Sequence, residues 1–140
     1  LQPQISAALV SFISLIIITV LLLDFIFLHL AHHVMVRHSG IPQAIIIACE
    51  KVDQCLDLII KCSEELDYSA VIIADHGNAD KMINSDGSSH TAHTVNMVPI
   101  IVFDKDVQFI KNGKRADIAP TVLNLMNIKK PIEMSGKSLF

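Results

Sequence analysis

The side chains best suited to chemistry are seven histidines and the few carboxylates that stand beside them. Asp75 and His76 follow an apolar run that reads as a strand, and Gly77 and Asn78 come next. In open α/β sheets ligands bind beyond the carboxyl ends of the strands, so this pair is well placed. A carboxylate beside an imidazole suits a divalent ion of the manganese or zinc type. The same residues also read as an Asx-turn that closes the strand and leaves His76 on the surface. His90 and His93 stand three apart within His90-Thr91-Ala92-His93-Thr94. Two loop imidazoles can serve a metal, and loop histidines are also common without one. One loop could bring His90 or His93 over the strand end that holds Asp75. His29, His32, His33 and His38 form an earlier group, in which His38 is the candidate third ligand and a structural histidine is the alternative. The residue four before His38 is Val34, so no carboxylate accompanies it there.

Two other patterns carry no site. Gly136-Lys137-Ser138 fails as a phosphate loop, because Pro131 stands where a second glycine is needed and no helix follows. Cys49, Cys55 and Cys62 are odd in number and lie in one helical stretch, which makes reduced core thiols the expected reading.

The elements that position these residues follow from periodicity. Ile45, Ala48, Cys49, Val52, Leu56, Ile59 and Ile60 recur at three- and four-residue steps, which predicts a helix from the Pro42 breaker to about Leu66. Residues 70–74 read as a fully buried strand. A polar loop covers residues 84–96, and residues 98–103 form a second buried strand with Pro99 near its start. Residues 111–114 read as a turn. Asp117 is the expected N-cap of a helix through Met126, with Pro120 tolerated in its first turn. Upstream, the apolar run at residues 7–23 reads either as a membrane-spanning helix or as a buried one, and residues 24–28 as a strand after it. The order strand, helix, strand, loop, strand, helix predicts an α/β layered sheet.

Composition bounds the rest. The chain has 140 residues and a mass of 15.4 kDa, enough for one domain or a piece of a larger one. It opens on Leu1 rather than Met, and a partial gene product is the expectation. A net charge of -3 argues against a nucleic-acid partner. Apolar residues at 51% and a mean hydropathy of +0.50 exclude general disorder. Charge is uneven, since residues 1–48 hold only Asp24 and Arg37. No basic residue precedes the apolar run, as a secretory leader would need.

Taken together, several segments resemble the C-terminal part of the cofactor-independent (2,3-bisphosphoglycerate-independent) phosphoglycerate mutases of the alkaline phosphatase superfamily. They are Ala74-Asp75-His76-Gly77-Asn78-Ala79, His90-Thr91-Ala92-His93-Thr94, Val98-Pro99-Ile100, Ala116-Asp117-Ile118-Ala119-Pro120-Thr121 and Met134-Ser135-Gly136-Lys137-Ser138-Leu139. Their order and spacing fit over residues 38–140, and Leu1-Gln2-Pro3-Gln4-Ile5-Ser6-Ala7 with Asp24-Phe25-Ile26 extends the likeness upstream. The last two segments argue against another superfamily member, such as a phosphopentomutase or phosphatase.

The resemblance implies a partial alkaline-phosphatase-like layered sheet flanked by helices. Residues 1–30 would be an apolar helix plus strand, and residues 31–140 the metal-loop and sheet segment of one metal-binding domain. It implies interconversion of 3-phosphoglycerate and 2-phosphoglycerate in glycolysis, through a phosphoserine intermediate. The cofactors would be two divalent ions, manganese by preference, with no bisphosphoglycerate. Asp75 and His76 would ligate one ion, His38 and His93 the other, and His90 would stand beside the site. Substrate contacts are not assigned, and the location implied is cytoplasmic, with membrane attachment through residues 7–23 as the alternative.

Two departures bear on activity. The family reads Asn-Pro-Asp-Met-Val-Gly-His where this chain has His32-His33-Val34-Met35-Val36-Arg37-His38, so Val34 replaces a metal carboxylate and Arg37 adds a cation near a cationic site. The nucleophilic serine, its neighbouring Asp ligand and the inserted phosphotransferase domain would all lie upstream of Leu1 and are absent. The expectation is a fragment inactive without the upstream half of the enzyme. The alternative is a non-catalytic remnant of a metal site that binds a membrane or a partner.

Overall fold

In the computed structural model the described residues are 23–30 and 42–140. They divide into two units: the described residues up to Asp67 with residues 76–97, and residues 68–75 with 98–140.

The first unit is led by helix α1 (Pro42–Glu65). Proline suits its first position, where a backbone N–H would have no partner inside the helix. Ile45, Ala48, Cys55, Ile59, Cys62 and Ser63 are buried along one stripe, at the steps a helix needs. Ser63 settles its hydroxyl by donating to the Ile59 carbonyl at 2.8 Å. On the wet face Lys61 pairs with Asp57 at 2.8 Å, an exposed contact that adds little. The helix ends at Asp67, whose φ of 58° turns the chain while its N–H donates to the Glu64 carbonyl. Cys49, Cys55 and Cys62 form no disulfide, and Cys49 is exposed while Cys55 and Cys62 are buried. At 3.6 residues per turn, seven residues return nearly to the same face and six do not, so the expectation of core thiols holds for two of the three.

The second unit pairs strand β1 (Ala70–Ile73) antiparallel with strand β2 (Ile100–Phe103), from Ala70 opposite Phe103 to Ile73 opposite Ile100. Pro99 stands just before β2, since it has no N–H to give a ladder. Ile73 and Ile101 remain 45% and 51% exposed, which corrects the expectation of fully buried strands. Among the described residues the sheet has two strands, so their faces are only partly covered. Asp104 follows β2 at the end of the pair where β1 begins. Its carboxylate accepts the Ser69 hydroxyl and the N–H groups of Asp106 and Val107. Residues 24–28, expected as a strand, carry no regular element. The stretch before them, with its membrane reading, lies outside the described residues. Among the described residues no helix is long and apolar enough to cross a membrane.

The C-terminal segments are locked together by one carboxylate and one hydroxyl. A 3-10 turn (Arg115–Asp117) runs into helix α2 (Ile118–Leu125). Asp117 stands at the N-cap position of α2, as expected, but its φ of -88° and ψ of -12° are already helical and its side chain does not cap that helix. Its carboxylate instead reaches back to the Lys114 N–H at 2.8 Å and across to the Lys137 N–H at 2.9 Å. Thr121, fully buried, donates to the Asp117 carbonyl at 2.7 Å and accepts the Leu139 N–H at 3.1 Å. Residues 111–114, expected as a turn, lie along the same tail, with the Lys111 N–H donating to the Leu139 carbonyl. Gly136 is required by close approach, since an added Cβ would meet the Ala116 carbonyl oxygen at 1.9 Å. Helix α2 ends in a Schellman motif. Asn127, at φ 55°, donates to the Asn124 carbonyl and Ile128 to that of Leu123.

Candidate metal centre

The segment 76–97 brings two of the sequence-predicted ligands into contact. Gly77 and Thr94 form an isolated antiparallel bridge, in which the Thr94 N–H donates to the Gly77 carbonyl at 3.0 Å. In that antiparallel register residue 76 faces 95 and residue 78 faces 93, so 76 and 93 are diagonal neighbours on one side of the pair. The rings of His76 and His93 consequently stand with centroids 3.8 Å apart and planes inclined at 46°. His76 Nδ1 lies 3.2 Å from the Gly77 carbonyl oxygen. A carbonyl only accepts, so in the neutral ring Nδ1 carries the proton and the lone pair sits on Nε2. Metal-ligating histidines are commonly oriented in this way.

Glycine is demanded at position 77 by the approach of other groups. A Cβ there would lie 2.0 Å from Thr94 Oγ1 and 3.1 Å from Asp80 Oδ1. Asp80 Oδ2 accepts the Thr94 hydroxyl at 2.8 Å and the Asn96 amide at 2.6 Å. The Asn96 and Thr94 donors hold the Asp80 carboxyl below its ordinary range.

Residues 82–90 fold back as a small hairpin, with Ile83 bridged to Ser89 and the His90 N–H donating to the Met82 carbonyl. Gly87 turns it at φ 83°, and its N–H donates to the Asn84 carbonyl at 3.0 Å. The Asn84 side chain then reaches His90, with Oδ1 2.7 Å from Nδ1. His90 Nε2 and Asn78 Nδ2 are shielded from solvent and lack a hydrogen-bond partner. Orphaned buried polar atoms are few in native structures, so these two stand out within the segment.

Asp75 stands two residues beyond the end of β1 and next to His76 in the chain; its carbonyl accepts Arg115 Nη1 at 3.2 Å. His38 and Val34 lie outside the described residues. Among the described residues no three His, Cys, Asp or Glu side chains are grouped so as to hold an ion. The donors fit part of a divalent site: two imidazoles in contact, with a carboxylate residue next in sequence to one of them. Sequence reasoning passed over Asp80, Thr94 and Asn96. Their signal was the run of three polar residues spaced around Gly77 and His93, legible only once the bridge is known.

The comparisons with known proteins point to a metalloenzyme. A model of the Metalloenzyme superfamily matches residues 1–130. The 2,3-bisphosphoglycerate-independent phosphoglycerate mutase of Flavobacterium psychrophilum is 49% identical over 116 residues, covering 83% of this chain and 23% of that protein. That of Akkermansia muciniphila is 45% identical over 141 residues, covering 99% of this chain and 27% of that protein. The chain thus spans about a quarter of the length of the curated relatives it matches. A crystal structure of Leishmania mexicana phosphoglycerate mutase at low cobalt concentration superimposes with a TM-score of 0.81 at 19% identity, over 96% of this chain and 28% of that one. At that identity the likeness shows the fold, which is that of the corresponding part of a phosphoglycerate mutase. With the match covering nearly all of its length, the chain belongs to the metalloenzyme superfamily.

Proposed function

We propose that these residues carry the metal-binding part of a 2,3-bisphosphoglycerate-independent phosphoglycerate mutase. The contact between His76 and His93 is the observation that carries this reading, because it unites two separately spaced motifs at one place. The reaction is the glycolytic exchange of phosphate between the 2- and 3-positions of glycerate through a phosphoserine, and the location is cytoplasmic. Two manganese ions are the cofactors, with other divalent ions as substitutes. Asp75 and His76 ligate one ion, His38 and His93 the other, and His90 stands beside them. Bound cations of this kind neutralise phosphoryl oxygens and lower the cost of forming an alkoxide. The chain's own contribution is to hold imidazole donors in place before the ion arrives. Asp75 adds a carboxylate next to His76, and Val34 withholds one near His38.

Turnover requires the serine nucleophile and phosphoglycerate contacts of the remaining three quarters of such an enzyme. The 140 residues alone are therefore expected to convert no 3-phosphoglycerate. A coupled enolase assay on the purified chain tests this, and turnover lost on His76→Ala would refute the requirement for the other parts.

A further inference from the structure

We propose that Asp80 is a positioning residue, whose carboxylate holds Thr94 and Asn96 so that His93 stands against His76 in the arrangement that receives the two divalent ions. The inference rests on the metal-binding role given above to these two histidines. Among the described residues the His93 ring meets that of His76, and the backbone on either side of His93 decides where that ring stands. That backbone is fixed on its C-terminal side by two bonds to one oxygen, from the Thr94 hydroxyl and the Asn96 amide to Asp80 Oδ2. It is fixed to the neighbouring segment by the Thr94 N–H on the Gly77 carbonyl. Asp80 itself is four residues from His76, so its carboxylate ties the two imidazole-bearing stretches to each other. Gly77 leaves the space in which this happens: a Cβ there would fall 3.1 and 3.3 Å from the two Asp80 oxygens. Because both donors converge on Oδ2, the bonds to a charged acceptor are lost together when the carboxylate is removed. Groups of this kind outside the ligand set typically change metal affinity by about 10- to 100-fold when deleted.

The test uses the 140-residue chain and two readouts, the proton cross-peak between the His76 and His93 rings and titration with cobalt(II) alone, followed by its visible absorption. In Asp80→Ala we expect the cross-peak to vanish and cobalt affinity to fall about tenfold or more, with the amide spectrum outside residues 76–97 retained. Thr94→Val removes the hydroxyl alone and gives the same direction if Asp80→Ala fails to fold, whereas Thr94→Ser restores both readouts. An unchanged cross-peak and unchanged cobalt titration in Asp80→Ala and Thr94→Val would overturn the proposal. A wild-type chain with the cross-peak but no cobalt uptake would instead refute the metal-binding reading, while loss of that cross-peak in Asp80→Ala would still establish the clamp.

Discussion

Gly77 carries the tightest constraint in the segment that bears the imidazole pair. A methyl group there would sit 2.0 Å from Thr94 Oγ1, far inside contact distance, so bridge and clamp cannot both survive it. Gly77→Ala is expected to cost about 1–3 kcal/mol, the range for overpacking, and to separate the two rings. Urea denaturation gives the first quantity and ring cross-peaks the second. Thr121 makes a different kind of prediction. It is fully buried and uses its hydroxyl twice, so Thr121→Val removes the bond to the Asp117 carbonyl and strands the Leu139 N–H. The expected loss is about 1–3 kcal/mol with no change of volume to confuse it. Asp117 adds a pH dependence. The Lys137 and Lys114 N–H groups hold its carboxyl below the ordinary aspartate value. A depressed carboxyl stabilises the fold above its unfolded pKa and loses that contribution as pH falls through its folded one. The gap in urea midpoint between wild type and Asp117→Asn should therefore be constant at neutral pH and shrink in acid below the usual aspartate range. A gap that widened in acid would mean the carboxylate does not serve as an acceptor.

At the scale of elements, what the sequence made legible was whatever is decided locally. Helix α1 was readable because its apolar residues recur at helical steps and Pro42 marks its start. Both strands were readable as apolar runs, although the ladder begins two residues later than expected at Ile100, after Pro99. The role of Asp117 was not readable. Its position suggested a local cap, but the decisive partner, Lys137, lies 20 residues along the chain. The same holds for the contact of His76 with His93. Spacing left each motif with a bland alternative, and the Gly77–Thr94 bridge that joins them is a pairing between distant segments. Cys49 was misread because a helical stretch was treated as one face, when six residues separate it from Cys55. One element-level prediction follows from the end of α2. Asn127 is at φ 55°, a conformation that costs a residue with a plain Cβ about 1 kcal/mol. Asn127→Ala should lower the thermal midpoint, and Asn127→Gly should hold or raise it.

For the whole molecule, the proposal is that this chain of the metalloenzyme superfamily supplies imidazole donors but an incomplete set of metal ligands. Val34 bears on that claim directly, since no valine can ligate an ion. The exposed faces of Ile73 and Ile101 belong to the same picture, because the two strands found among the described residues leave apolar surface uncovered. Isothermal titration of the 140-residue chain with manganese, beside a His76→Ala/His93→Ala variant, is the most direct test. The account predicts weak uptake by the wild type that disappears in the variant. Two tight manganese sites, or binding indifferent to the loss of both histidines, would contradict it.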